Sequence, residues 1–292
     1  MASVKEIKAR IEGVQETRKI TNAMYLVAST KLRHAREALE RTRPYFDSMR
    51  REVARVFRSA GSEDSRYFSG KNGALPKGGV CGVLVITADK GLAGSYNMNA
   101  IRQAEAILKE KPDARLFVVG EFGRRHFRMR KIKTEEDFLY TAQDPTLDRA
   151  RNICTLLLDL YDQKELNEIV AVYTDMKSSL SSMAQVNRLL PLDWDPFTQS
   201  AEEGYFNFLP GPEAALAAVM RSYISGFLYS AMVDSFCCEQ NARVSAMDSA
   251  GRNADELLSS LSLQLNRERQ SAITQEITEI SAGARAQRKK SG

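Results

Sequence analysis

Residues 213–280 read EAALAAVMRSYISGFLYSAMVDSFCCEQNARVSAMDSAGRNADELLSSLSLQLNRERQSAITQEITEI. No proline interrupts them. Leu216, Met220, Phe227, Ala231, Cys238, Ala242, Ala246, Ala250, Leu257, Leu261 and Leu265 recur along one row, which Ile273, Ile277 and Ile280 extend. The period, roughly 3.5 to 3.6 residues, is that of a helix with an apolar stripe. At 1.5 Å per residue, roughly 70 helical residues extend about 105 Å, several times the diameter of a small domain. No single globule can bury such a helix, so it requires a partner helix or an enclosing protein.

The partner lies at the other end of the chain. All eight prolines fall between Pro44 and Pro212, and one proline inside a helix costs about 3 kcal/mol. In the proline-free start, Ile7, Ile11, Val14, Ile20, Met24, Val27, Leu32, Ala35 and Leu39 follow mostly three- and four-residue steps among Lys, Arg and Glu. Pro44 should bend this helix, the pattern resumes at Met49, Val53 and Phe57, and Gly61-Ser62 should end it. A helix of roughly 55 residues, about 80 Å long, can then pair antiparallel with the C-terminal one. The middle of the chain must return to its starting end, which a compact inserted domain with nearby termini allows.

That middle carries alternating signals. Residues 80–87 (VCGVLVIT), 116–120 (LFVVG) and 169–174 (IVAVYT) read as buried strands, with a further short strand near 186–190. Helical stretches at 98–109 and 146–161 separate them, so a mostly parallel sheet covered by helices is expected. Residues 74–79 (ALPKGG) and 193–196 (DWDP) read as linkers. The domain plan is an N-terminal helix over 1–60, an α/β domain over 74–195, a C-terminal helix over 210–287 and a basic tail over 288–292.

The chain of 292 residues is 43% hydrophobic and 27% charged, which excludes both an apolar membrane protein and a disordered chain. Its net charge of +5 is concentrated at the start, where residues 1–58 hold 14 Lys/Arg and 7 Asp/Glu. Such a segment faces something anionic: nucleic acid, lipid or an acidic protein wall. Interspersed Glu6, Glu12, Glu16, Glu37 and Glu40, with no aromatic stacking positions, favour a solvated coiled-coil face over a nucleic-acid arm. Cys81, Cys154, Cys237 and Cys238 show no C-x-x-C spacing and read as reduced, buried thiols. His34 and His126 sit among arginines, without zinc-type spacing. The N-terminus turns charged at once, unlike a secretory signal. The apolar stretch between Arg221 and Asp234 is shorter than the ~18 to 20 residues a bilayer span needs, so membrane association should be peripheral.

No motif carries catalysis. The loop after the first strand, 88–97, contains Gly91-Leu92-Ala93-Gly94 but neither G-x-G-x-x-G nor G-x-x-x-x-G-K-[ST], and Gly70-Lys71 continues with Asn72. The serine run 178–182 lacks a G-x-S-x-G elbow. Glu135-Glu136-Asp137 and Glu202-Glu203 are adjacent carboxylates without a sign of the burial that sets acid and base apart. Neither cofactor nor metal is expected. A chain that invests so much of its length in two helices reads as a mechanical or scaffolding part; a nucleotide-binding α/β enzyme with helical arms and a basic coiled-coil scaffold for nucleic acid are the alternatives.

The two helices resemble the gamma subunit of F-type ATP synthase. The likeness lies in 7–11 (IKARI), 19–24 (KITNAM), 27–32 (VASTKL) and Arg43-Pro44-Tyr45, and in 239–243 (EQNAR), Ala246-Met247, 266–270 (NRERQ) and 273–280 (ITQEITEI). Residues 89–94 (DKGLAG) and 189–192 (LLPL) extend it over essentially the whole chain. Val244, Gly251 and Ala93 depart from the usual Met, Thr and Cys, and the cysteine-bearing regulatory insertion of chloroplast forms is missing. The resemblance implies an α+α/β fold: a long antiparallel coiled coil of the N- and C-terminal helices with an inserted Rossmann-like α/β domain. It implies a non-catalytic rotor shaft, one copy per complex, turning inside a ring of alpha and beta subunits, with epsilon and the membrane c-ring at the α/β domain. Met24, Arg243, Gln270, Thr274 and Glu276 match the family's coupling positions. The start at Met1 without a transit peptide is expected of a bacterial protein, peripheral on the cytoplasmic face of the plasma membrane.

Overall fold

The computed structural model describes residues 4–60, 66–69, 79–176, 181–193 and 211–290. The helix stop at Gly61-Ser62, Gly70-Lys71, most of the 74–79 linker, residues 178–180 of the serine run, Trp194 to Pro196 and Glu202-Glu203 lie outside the described residues. In chain order the elements are α1 (Val4–Ala60), β1 (Cys81–Ile86), α2 (Tyr96–Glu110), β2 (Arg115–Val119), α3 (Glu121–Met129), α4 (Leu147–Asp162), β3 (Glu168–Met176), β4 (Ser182–Leu190) and α5 (Pro212–Lys290).

The two framing helices form where the proline-free stretches predict them. Pro212 opens α5 at a first-turn position, where its missing N–H would have had no partner. Pro44 lies inside α1, which continues as one helix through it to Ala60. Buried Leu39, Val53 and Ala54 on both sides supply packing that offsets the lost backbone bond.

The chain divides into two compact units. In the first, residues 1–27 lie with residues 244–292. Among its described residues Ile7, Met247, Ala254 and Leu261 are the buried apolar ones, and Arg18 is bonded to Asp255, Nη2 to Oδ2 3.2 Å. In the second, a Cβ on Gly226 of α5 would lie 3.3 Å from the Tyr45 ring of α1. Numbers rise along α1 as they fall along α5, so the long helices pack antiparallel.

The second unit spans residues 28–243. Its sheet runs β2-β1-β3-β4, with β1 parallel to both neighbours and β4 antiparallel to β3. Alternation along the strands sends Leu84, Ile86, Phe117, Val119, Ile169 and Ala171 to one face, against α4, the end of α1 and the start of α5. Cys81, Val83, Val85, Leu116, Val118, Val170 and Val172 go to the other, against α2 and α3. With both faces covered, the three parallel strands read as continuous apolar runs. The last strand is longer than its sequence signal because its first half, Ser182 to Val186, is exposed or half-buried and alternates too little to announce itself. The short α3 (EFGRRHFRM) is an addition, hidden in the sequence by its charge and its glycine.

In α5, residues 231–240 are all buried, so protein surrounds the helix on every side there. One 18-residue window of α5 is apolar enough for a membrane span by composition, but more than half of it is buried in this core.

Candidate functional site

The loop between β1 and α2, residues 87–95, follows the first strand where a nucleotide loop would sit. Its own chain fills its hydrogen-bonding positions. Ala88 donates its N–H to Asn97 Oδ1 at 2.8 Å, and the Asn97 amide donates to the Lys90 carbonyl at 3.4 Å. Asp89 is a hub. Its Oδ1 accepts from the N–H of Glu121 at 3.1 Å, and its Oδ2 accepts from the N–H groups of Ala142 and Gln143, each at 3.1 Å, and from the Thr141 hydroxyl. The Ala88 carbonyl and the Thr87 hydroxyl receive the next two amides of α3, from Phe122 and Gly123, both at 3.1 Å. A carboxylate at the start of α3 also favours the positive end of that helix. Gly120, at φ +95, permits the close approach: a Cβ there would lie 2.2 Å from the Thr87 carbonyl oxygen.

The same loop is clamped to α5. Arg243 Nη1 meets Glu239 Oε1 at 2.6 Å, and Nη2 donates to the carbonyls of Gly91 at 3.1 Å and Lys90 at 3.5 Å. Glu239 is 2% exposed and Arg243 9%. Burial raises the Glu239 carboxyl above its ordinary range, against the lowering effect of Arg243. Its second oxygen, Oε2, has no hydrogen-bond partner among the described residues. One turn earlier, Ser235 accepts the N–H of Thr174 in β3 at 3.1 Å. The buried Tyr96 phenol, pushed well up by burial and by Glu239, also bonds Ser235. Ser235, Glu239 and Arg243 are four residues apart and share one face of α5. This polar row inside an apolar helix is the signal that could have marked the site. The motifs at 239–243 and 89–94 contain Glu239, Arg243 and Asp89 but do not show that they meet, and nothing in the sequence singles out Ser235, Asn97 or Tyr96.

Of the positions implied by resemblance, Arg243 is therefore in this joint. Met24 is half-buried on α1. Gln270, Thr274 and Glu276 are exposed on α5, and the Thr274 hydroxyl bonds back to the Gln270 carbonyl at 2.9 Å. Beyond Leu261 no described side chain of α5 is buried. Antiparallel pairing with Arg18 opposite Asp255 puts Val4, the first described residue of α1, opposite about residue 269 of α5. The following ~20 residues, about 30 Å of helix, extend past α1. Leu263, Ile273, Ile277 and Ile280 are 70%, 46%, 59% and 72% exposed there or just before. Arg243 is thus buried in the joint, whereas Gln270, Thr274 and Glu276 are exposed on the overhang. Among the described residues no cluster of three potential metal ligands occurs.

A family model described as ATP synthase matches residues 3–287. The ATP synthase gamma chain of Acetivibrio thermocellus is 39% identical over 295 residues, 98% of this chain and 99% of that protein. The gamma chain of Caldanaerobacter subterraneus subsp. tengcongensis is also 39% identical, over 96% of this chain and 98% of its own. The gamma chain of Acetobacterium woodii named sodium ion specific is 35% identical, over 97% and 98%. Among solved structures, a chain from the Euglena gracilis mitochondrial ATP synthase (OSCP/F1/c-ring) aligns with a TM-score of 0.65 at 17% identity, covering 97% of this chain and 94% of that one. A chain from the Tetrahymena thermophila enzyme (central stalk/c-ring) gives 0.59 at 22%, covering 79% and 99%. The structural likeness establishes the same fold, and the end-to-end sequence match establishes descent: this chain belongs to the ATP synthase gamma chain family.

Proposed function

We propose that this chain is the central rotor shaft of an F-type ATP synthase: it couples ion flow through the membrane c-ring to the conformational cycle of catalytic sites held by the beta subunits. The chain itself is non-catalytic. The observation that carries the reading is the overhang of α5, an apolar and polar helix surface with nothing from α1 to cover it. A lone helix of this kind needs an enclosing partner. Alpha and beta subunits are that enclosure, while epsilon and the c-ring meet the α/β domain. One copy serves each complex, which lies peripherally at the cytoplasmic face of a bacterial plasma membrane.

A single asymmetric shaft cannot present the same surface to three equivalent neighbours. Each neighbour is therefore biased toward a different state, by as much as its contacts with the shaft differ between states. Turning the shaft exchanges the biases in order. A bias from 1:99 to 99:1 takes roughly 5.5 kcal/mol of differential contact, so several residues must act together. Met24, Arg243, Gln270, Thr274 and Glu276 are the coupling positions in this reading. Gln270 and Glu276 offer directional hydrogen bonds that break and re-form at each step. The basic first helix suits an acidic stator wall.

The test is assembly followed by transport. The chain, produced with the alpha and beta subunits of its own genome, should co-purify with them. The complete complex in sealed vesicles should drive ion uptake on ATP addition. A chain that stays apart from alpha and beta, or a complex that hydrolyses ATP with no ion uptake, refutes the reading.

A further inference from the structure

We propose that the buried Glu239–Arg243 pair is an internal strut that clamps the β1–α2 loop to α5, and that Arg243 governs coupling by holding that loop. It is a positioning residue within the rotor and makes no direct bond to the catalytic head. The proposal rests on the rotor reading and deepens it at this one position.

The geometry leaves the Arg243 fork committed. One arm is held by Glu239 at 2.6 Å and the other by two successive carbonyls at the loop apex, Gly91 at 3.1 Å and Lys90 at 3.5 Å. A planar guanidinium suits this double task, because one fixed fork can join a carboxylate to a pair of carbonyls. Glu239, at 2% exposure, is out of reach of any partner subunit. Its ionised form requires Arg243, since an unpaired buried carboxylate is costly. The clamped loop is itself unusual. Leu92 has φ +61 and is 62% exposed, and Gly94 has φ +54. An exposed leucine in a left-handed conformation persists only where its surroundings enforce it; here Arg243 holds the Lys90 and Gly91 carbonyls, Asn97 holds the Ala88 amide, and the Asp89 carboxylate is fixed by four donors. Through Asp89 the loop also carries the start of α3 and residues 141–143. Twist applied to the α/β domain thus reaches α5 at this point through charge-assisted bonds.

The experiment uses the complete complex in vesicles, with ATP hydrolysis, ATP-driven ion uptake and amide hydrogen exchange of the 86–97 segment measured together. Variants are Arg243→Ala, Arg243→Lys and Glu239→Gln. Losing a charge-assisted bond should speed exchange in the loop by about tenfold in Arg243→Ala and Glu239→Gln. Ions moved per ATP should fall about twofold or more in both, with Arg243→Lys intermediate because it keeps the charge and loses the fork. Glu239→Gln is decisive, since it alters nothing a partner could touch. Wild-type exchange and transport in Glu239→Gln would overturn the proposal. So would lost transport in Arg243→Ala with loop exchange unchanged, which would assign Arg243 to direct contact with the head. Should Arg243→Ala or Glu239→Gln fail to assemble, exchange in Arg243→Lys decides alone: wild-type loop protection refutes the strut and faster exchange supports it. An unmutated complex without coupled uptake would instead strike the rotor reading and leave the loop measurement standing.

Discussion

Asp89 shows what a short motif is for. Residues 89–94 were legible as a pattern, but their purpose was not, because the partners of Asp89 lie 32 and 52 to 54 residues downstream and no spacing rule links them. With four donors on one carboxylate, Asp89→Ala should destabilise the α/β unit by about 2 to 3 kcal/mol; chemical denaturation of the purified chain checks this, and an unchanged midpoint would contradict it. Glu135 makes a different prediction. Arg115 holds it by two bonds of 2.9 Å, and this pairing lowers its carboxyl below the ordinary 4.5. Below pH 4.5 the unfolded chain then binds more protons than the native one, so the pair's contribution is present above 4.5 and is lost as pH falls through the native value. Glu135→Gln should therefore flatten the acid limb of the stability profile and lower the neutral plateau. Met24 bears on coupling. Met24→Lys places a cation on a half-buried position of an already basic helix, where it can bind an acidic segment of the stator too tightly to release. Fewer ions should be pumped per ATP hydrolysed, and an unchanged ratio would refute the idea.

Among elements, legibility followed length and burial. The two framing helices and the three parallel strands announced themselves because their apolar residues repeat with one period over many positions. Strand β4 and the nine-residue α3 did not, since the first half of β4 is exposed or half-buried and four of the nine residues of α3 are charged. The contact of Arg18 with Asp255 was equally silent, because both side chains are about half exposed and single surface ions carry no periodic signal. Helix propensity gives the test at this scale. A Cβ on Gly251 would meet nothing within 4 Å, so Gly251→Ala removes backbone freedom from the unfolded chain at no steric cost. It should stabilise α5 by about 1 kcal/mol, seen as a higher melting temperature of the isolated chain. A lower one would mean that this position needs the glycine for a reason other than space.

For the whole molecule the sequence stripe and the structure diverge in an informative way. The row read from Leu216 to Ile280 is one continuous helical pattern, yet its last buried member is Leu261, and Leu257 before it is already 45% exposed. In the rotor reading the pattern beyond is kept for burial by a partner, since solvent alone gives no reason for Ile273, Ile277 and Ile280 to keep their steps of four and three. Replacing all three with serine separates the two kinds of burial. The isolated chain should unfold within about 0.5 kcal/mol per site of the original, as exposed positions do. Association with the alpha and beta subunits should weaken, because each isoleucine that becomes covered there contributes roughly 1.5 to 3 kcal/mol from apolar burial. Three such losses would move a tight complex into a range where it separates during gel filtration at low concentration. Retained assembly together with a destabilised isolated chain would reverse the inference, making the stripe an internal contact.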